Sequence, residues 1–184
     1  ENGCPWNEQA CSNAAKNGYL EVLKYLHQNG CPWNELACLY AAKNGHFEVL
    51  KYLHENGCPW NEQACSNAAK NGHLEVLKYL HQNGCPWDEE ACLNAARRGH
   101  LEILKYLHHN RCPWNEETCL NTAKGKGHLT VVEWITTVRS NSRENLSNQD
   151  KVPEYFQNRK RDRNDDQENE NEIKSNNSQK RSRL

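Results

Sequence analysis

Residues 4–30 read CPWNEQACSNAAKNGYLEVLKYLHQNG, and this stretch decides the fold. Pro5 and Trp6 make an extended lead-in. Asn7 stands where a helix N-cap accepts a hydrogen bond from an unpaired amide of the first turn, and Glu8 follows where negative charge suits the helix dipole. The pattern predicts a short inner helix over about 8–16. Its Ala10, Cys11, Ala14 and Ala15 form a face of small residues on which another helix can sit closely, and Asn17-Gly18 supplies a left-handed stop. A second, outer helix is predicted from near Tyr19 to Asn29-Gly30. Leu20, Val22, Leu23 and Leu26 make its apolar stripe, and Glu21 and Lys24 face water at i,i+3.

The stretch is one copy of five. Cys-Pro-Trp recurs at Cys4, Cys31, Cys58, Cys85 and Cys112, every step being 27 residues, and the N-cap position reads Asn7, Asn34, Asn61, Asp88 and Asn115. Two antiparallel helices of this size cannot close a core alone, but stacked copies can, because each unit buries its face against the next. The expected fold class is therefore an all-α helix-turn-helix solenoid. Glu1-Asn2-Gly3 reproduces the end of a unit, so the sequence starts within the pattern. The expected organisation is an array over 1–138, with units starting at 4, 31, 58, 85 and 112, and a tail over 139–184.

Composition separates the two parts. The last 47 residues, from Val138, hold seven hydrophobic residues against nine Asn and twenty charges, too little apolar surface to offset the entropy of ordering. A disordered polar tail is the expectation. Residues 1–137 carry 12 basic and 15 acidic side chains, which argues against nucleic-acid binding by the array. No apolar run approaches the ~18 residues of a membrane span, and no secretory signal pattern opens the chain.

The run Ala68-Ala69-Lys70-Asn71-Gly72-His73-Leu74-Glu75-Val76-Leu77-Lys78-Tyr79-Leu80 closely resembles the ankyrin repeat, and the resemblance extends over residues 1 to about 138. Aligned on it, Cys11 and its equivalents replace the leucine of the family's T-P-L-H motif, Ser12 or Leu39 replaces the histidine, and Gly30-Cys31-Pro32-Trp33-Asn34 takes the place of G-A-D-V-N. A typical unit has ~33 residues, and the six missing here fall in the hairpin finger. The resemblance therefore implies an ankyrin-type solenoid with shortened hairpin loops and a tight turn from Trp into the inner helix. This Cys-Pro-Trp variety resembles arrays numerous in giant DNA viruses of amoebae and in some protists, where an upstream F-box often accompanies them.

Ten cysteines and two rows of histidines raise the question of chemistry. His27, Cys31 and Cys38 recur as H-x3-C-x6-C, a spacing foreign to common zinc modules. The family alignment puts both cysteines at small core positions. Equivalent cysteines in neighbouring units fall about 10 Å apart by helix-packing distance, beyond the ~7 Å Cα limit of a disulfide. Buried, reduced thiols are expected, with neither metal nor cofactor, in an intracellular compartment. One histidine row, His46, His73, His100 and His128, opens the outer helices; the other, His27, His54, His81 and His108, closes them. No Ser, Asp or Glu pattern accompanies either row, so no catalytic residue is assigned. The tryptophans after each Cys-Pro are expected to pack over helix ends.

Binding positions are sought where the units differ. The Gln9 site reads Gln, Leu, Gln, Glu, Glu; the Ser12 site Ser, Leu, Ser, Leu, Leu; and the Asn13 site carries Tyr40 once among asparagines. In ankyrin proteins the inner helices line the concave groove, and the two residues after Ala-Ala commonly contact partners. The resemblance thus implies Lys16, Asn17, Lys43, Asn44, Lys70, Asn71, Arg97, Arg98 and Lys124 as partner contacts, with Tyr40 as the aromatic anchor. A basic row of this kind favours a protein partner with an acidic segment.

The ends differ from the middle. Arg111 replaces the Gly of the left-handed stop, Gly125-Lys126-Gly127 adds a residue, and Thr118, Thr122 and Thr130 replace Ala, Ala and Glu, as a C-terminal cap would. In the tail, Arg159–Arg163 and Lys180–Arg183 are basic clusters, and Ser182-Arg183-Leu184 resembles a peroxisomal address. The sequence thus points to a non-catalytic scaffold that binds a protein. The alternatives are a metal- or redox-responsive Cys/His module and nucleic-acid binding through the tail.

Overall fold

The computed structural model of the chain describes residues 6–149, with side chains to residue 142. It divides into two units, residues 1–137 and 138–184. Every element among the described residues is an α-helix: α1 Glu8–Lys16, α2 Leu20–Gln28, α3 Glu35–Asn44, α4 Phe47–Glu55, α5 Glu62–Asn71, α6 Leu74–Gln82, α7 Glu89–Arg98, α8 Leu101–His109, α9 Glu116–Lys126 and α10 Leu129–Gln149. Odd-numbered helices are the inner helices and even-numbered ones the outer helices of five consecutive pairs.

Each inner helix begins as the sequence leads one to expect. Asn7, Asn34, Asn61, Asp88 and Asn115 hold extended backbone, and each side chain accepts a backbone N–H of the first turn. The helix starts immediately after the cap, so the chain passes from Trp to helix with no finger between. Glycine ends most inner helices: Gly45, Gly72, Gly99 and Gly127 lie at φ between 74° and 86°, where a Cβ is strained. Arg111 adopts the same left-handed region, φ 60°, at the end of the fourth outer helix. Gly125, the inserted residue, simply lengthens α9 to 11 residues.

The inner helices pack closely in the row α1, α3, α5, α7, α9, while neighbouring outer helices touch sparsely. Small residues explain the first fact. Ala37, Cys38, Ala41 and Ala42 are all fully buried, as are Ala68, Ala69, Ala95 and Ala96 in later pairs, so the helix axes can approach. Outer helices contribute the large groups: Leu23, Leu50, Leu77 and Leu104 are inaccessible, as are Leu53, Leu80 and Leu107. Burying each such leucine contributes about 1.5–3 kcal/mol. Val49, Val76 and Ile103 are also buried, but Val22 is 50% exposed because no helix lies beyond α2 in the described structure. The sequence pattern counted Val22 with the apolar stripe, and only the later units bury that position.

The division at 137/138 falls one residue from the expected end of the array, but the last helix does not stop there. α10 continues through residues 139–149, which composition assigned to the tail. A helix already nucleated by the buried Val131 and Ile135 adds each further residue at little cost, which pattern-free composition does not capture. Residues 150–184, with both basic clusters and Ser182-Arg183-Leu184, lie outside the described residues. No helix among the described residues is long and apolar enough to cross a membrane.

Candidate functional site

The surface of interest is the row of inner helices, and three repeated side-chain systems hold it in place. The first is a histidine staple. His46 Nε2 lies 3.1 Å from the Lys16 carbonyl, His73 Nε2 3.2 Å from that of Lys43, His100 Nε2 3.2 Å from that of Lys70, and His128 Nε2 3.1 Å from that of Arg97. A carbonyl only accepts, so Nε2 carries the proton in each ring. Each staple joins the start of one outer helix to the end of the inner helix of the preceding unit. The ring lies over the glycine of the preceding unit: a Cβ on Gly18, Gly45 or Gly99 would meet His46, His73 or His128 at 2.6–2.7 Å. In the first unit Tyr19 fills the staple position and is 59% exposed.

The second system is aromatic. His27 stacks on Trp33 with centroids 3.8 Å apart, His54 on Trp60 at 4.0 Å and His81 on Trp87 at 3.8 Å. Tyr52, Tyr79 and Tyr106 meet those tryptophans edge-on. The Tyr79 hydroxyl lies 3.0 Å from His54 Nδ1 and the Tyr106 hydroxyl 2.8 Å from His81 Nδ1. Burial pushes both phenols above their ordinary pKa. Trp33, Trp60, Trp87 and Trp114 are half-buried against the core, and Trp6 is exposed. The histidines that close the outer helices are thus packing partners of tryptophan.

The third system is a ladder of thiols. The Cys11 thiol donates to Cys31 Sγ at 3.1 Å, and the Cys31 thiol donates onward to the Asn7 carbonyl at 3.4 Å. Cys58, Cys85 and Cys112 make the same contact with Asn34, Asp88 and their equivalents: Cys58 reaches Asn34 and Cys85 reaches Asn61 at 3.3 Å, and Cys112 reaches Asp88 at 3.3 Å. All nine described cysteines are buried free thiols. Burial, then the bond to Cys31, pushes the Cys11 thiol up to about 12. Hydrogen bonding to Cys58, Cys85 and Cys112, with burial, raises Cys38, Cys65 and Cys92. Burial raises Cys119 to about 11. Spacing arguments compared equivalent cysteines of neighbouring units and so missed these pairs, which join non-equivalent cysteines 20 residues apart. No group of three or more His, Cys, Asp or Glu among the described residues is arranged to hold a metal ion.

The residues implied as partner contacts fall into two kinds. Lys16, Lys43, Arg98 and Lys124 are exposed at inner-helix ends, and Lys70 is half-buried there. By contrast Asn17, Asn44 and Asn71, though exposed, donate their side-chain N–H groups to the carbonyls of Asn13, Tyr40 and Asn67 at 2.8–3.0 Å. These amides finish their own helices. Arg97 is held by Asn94 at 2.9 Å and faces Glu90 at 3.8 Å. Tyr40 is half-buried, with Lys16 Nζ 5.9 Å above its ring.

Tyr40 also lines a recess of about 240 Å³ between α1 and α3, shared with Glu8, Gln9, Ser12, Asn13, Asn34 and Leu36. Leu36 is 40% exposed at its rim, an unusual place for leucine. A smaller recess of about 100 Å³ repeats the arrangement between α7 and α9, lined by Glu89, Glu90, Leu93, Asn115, Thr118 and Cys119. The family alignment pointed to helix C-terminal ends and passed over Glu8, Asn34 and Leu36. The signal for Leu36 was present as the one apolar residue at the variable Gln9 position.

Comparison with protein families matches ankyrin repeats (three copies) over residues 11–90 and 65–145, overlapping spans that together cover most of the chain. The chain belongs to the ankyrin-repeat family. Ankyrin repeats are generally protein–protein interaction modules and typically non-enzymatic. No curated protein matches the chain. Within the family pattern, the glycine-histidine staple and the alanine faces are what stacking requires, and the recesses between inner helices are where this ankyrin array varies.

Proposed function

We propose that the array is a non-catalytic scaffold that binds a protein partner across the inner-helix face, with Tyr40 as anchor and Lys16, Lys43, Lys70, Arg98 and Lys124 as a basic row. One observation carries the reading: the outlier residues Leu36 and Tyr40 line the same open recess, beside Lys16, on a backbone held by the His46 and His73 staples. Inner helices packed through alanine and cysteine, with bulkier outer helices, bend an array toward its inner face and make that face concave. Side chains fixed on such a curve bind with little ordering cost to the scaffold. The lysines and Arg98 favour an acidic segment in the partner, partly offset by the negative ends of their own helices.

The test is recovery of a partner by the immobilised chain. Tyr40→Ala with Lys43→Ala should reduce recovery about tenfold or more, as loss of an anchor does, with unchanged helical signal. Glu48→Ala with Glu75→Ala, on the exposed side of the outer helices, should leave it unchanged. Equal recovery by both double variants would remove the inner-face assignment.

A further inference from the structure

Each repeat junction places two thiols together: one from an inner helix, the other from the lead-in of the next unit. We propose that Cys11–Cys31, Cys38–Cys58, Cys65–Cys85 and Cys92–Cys112 are intramolecular disulfide-forming sites, each tying one unit to the lead-in of the next when the array meets a hydroperoxide. The contact is already specific. Cys11 Sγ is 3.1 Å from Cys31 Sγ, and bond formation needs an approach of about 1 Å more. The remaining pairs share the same register, 20 residues apart, and the same outgoing thiol bond from the lead-in cysteine to the preceding N-cap carbonyl. No pair needs a cysteine from another pair.

The lead-in cysteine is the one an oxidant meets first. Cys31, Cys58 and Cys85 are each 4% exposed, while Cys11, Cys38 and Cys65 are wholly inaccessible. The Cys31 sulfur, giving its proton to water, attacks one oxygen of hydrogen peroxide. The O–O bond breaks, the leaving hydroxide takes up a proton, and Cys31 becomes a sulfenic acid. Cys11 sulfur then attacks the Cys31 sulfur, the S–O bond breaks, and the departing hydroxide leaves as water with the Cys11 proton. Two thiols and one peroxide yield one disulfide and two waters. Burial of the lead-in sulfurs makes the first step slow, so the reduced array persists and the bridge records sustained oxidation.

The experiment treats the folded full chain with hydrogen peroxide, blocks remaining thiols by alkylation, and maps linked peptides without reductant. Four links, each joining cysteines 20 residues apart and each lowering the mass by two hydrogens, are expected, with a thermal midpoint that rises and returns on reduction. Absence of links, links between equivalent cysteines, or links between chains would overturn the proposal. So would a lower thermal midpoint once the four bridges have formed. Cys38→Ala should lose one bridge alone and leave Cys58 as a sulfenic acid that a dimedone reagent captures. Transfer of Cys58 to another cysteine in that variant would also overturn it.

Discussion

Helices α2 and α6 have the same nine residues, LEVLKYLHQ, yet they live in different surroundings. Val76 is 2% exposed and Val22 50%; Tyr79 is half-buried and bonded to His54, whereas Tyr25 is 58% exposed. Nothing within either helix accounts for this. The helix before α6 in the outer row supplies the cover, and α2 has no such neighbour in the described structure. Burial here is a property of the junction, and stability is a sum over units and their interfaces.

The sharpest break of that comparison comes from the glycines. Gly45 and Gly57 share left-handed backbone, φ 74° and 78°, but a Cβ on Gly45 meets His73 at 2.6 Å and one on Gly57 meets nothing within 4 Å. Gly45→Ala combines backbone strain with a clash at a junction and should cost about 2–5 kcal/mol; Gly57→Ala should cost about 1–2 kcal/mol, strain alone. Urea denaturation of both variants checks this, and equal losses would remove the role assigned to the staple.

Next in size, Val76→Ala should cost about 2–3 kcal/mol through lost burial and the cavity left behind, and Val22→Ala under about 0.5 kcal/mol. Cooperative unfolding would be lowered by the first and barely moved by the second.

The thiol ladder gives a pH dependence of similar order. Folded Cys11 and Cys119 ionise near 12 and 11, against an ordinary 9.0 in the unfolded chain. Between those values the unfolded chain has released protons that the folded one retains, so stability is complete below pH 9 and is lost as pH rises toward 11–12. Denaturation in reductant should show a loss from pH 8 to 10 to which Cys11 and Cys119 together contribute about 2–3 kcal/mol, so Cys11→Ala with Cys119→Ala should lessen the loss by that amount. Smallest is the staple's own bond: His73→Ala removes the contact with the Lys43 carbonyl and should cost about 0.5–1.5 kcal/mol. Hydrogen exchange localised to the end of α3 and the start of α6 would report it.

Much of this fold was legible because one unit repeats. The 27-residue period, the N-cap asparagines, the alanine faces and the glycine stops are local signals, and the helices follow them. Less legible were features made by juxtaposing units. Cys11 and Cys31 meet only when a unit folds back and the next one begins, so a comparison of equivalent positions overlooks them. The staple histidines could be placed at helix starts from the pattern, but not over the glycine of the preceding unit, which only stacking brings beneath their rings. At the candidate site, Tyr40 stood out as a variant, but the bonds by which Asn17, Asn44 and Asn71 cap their own helices were not legible, because the spacing of a single residue type does not say which backbone carbonyl its amide reaches. The extension of α10 to Gln149 was hidden because composition carries no information on where an established helix stops.

The central claim, that this array binds its partner across the inner helices, is tested most directly by a photo-crosslinking residue placed at Tyr40 and, separately, at exposed Glu48 on α4. Irradiation in the presence of cellular proteins should give a discrete protein adduct from position 40, reduced by Lys43→Ala, and none from position 48. The same adduct from position 48, with none from position 40, would contradict the account.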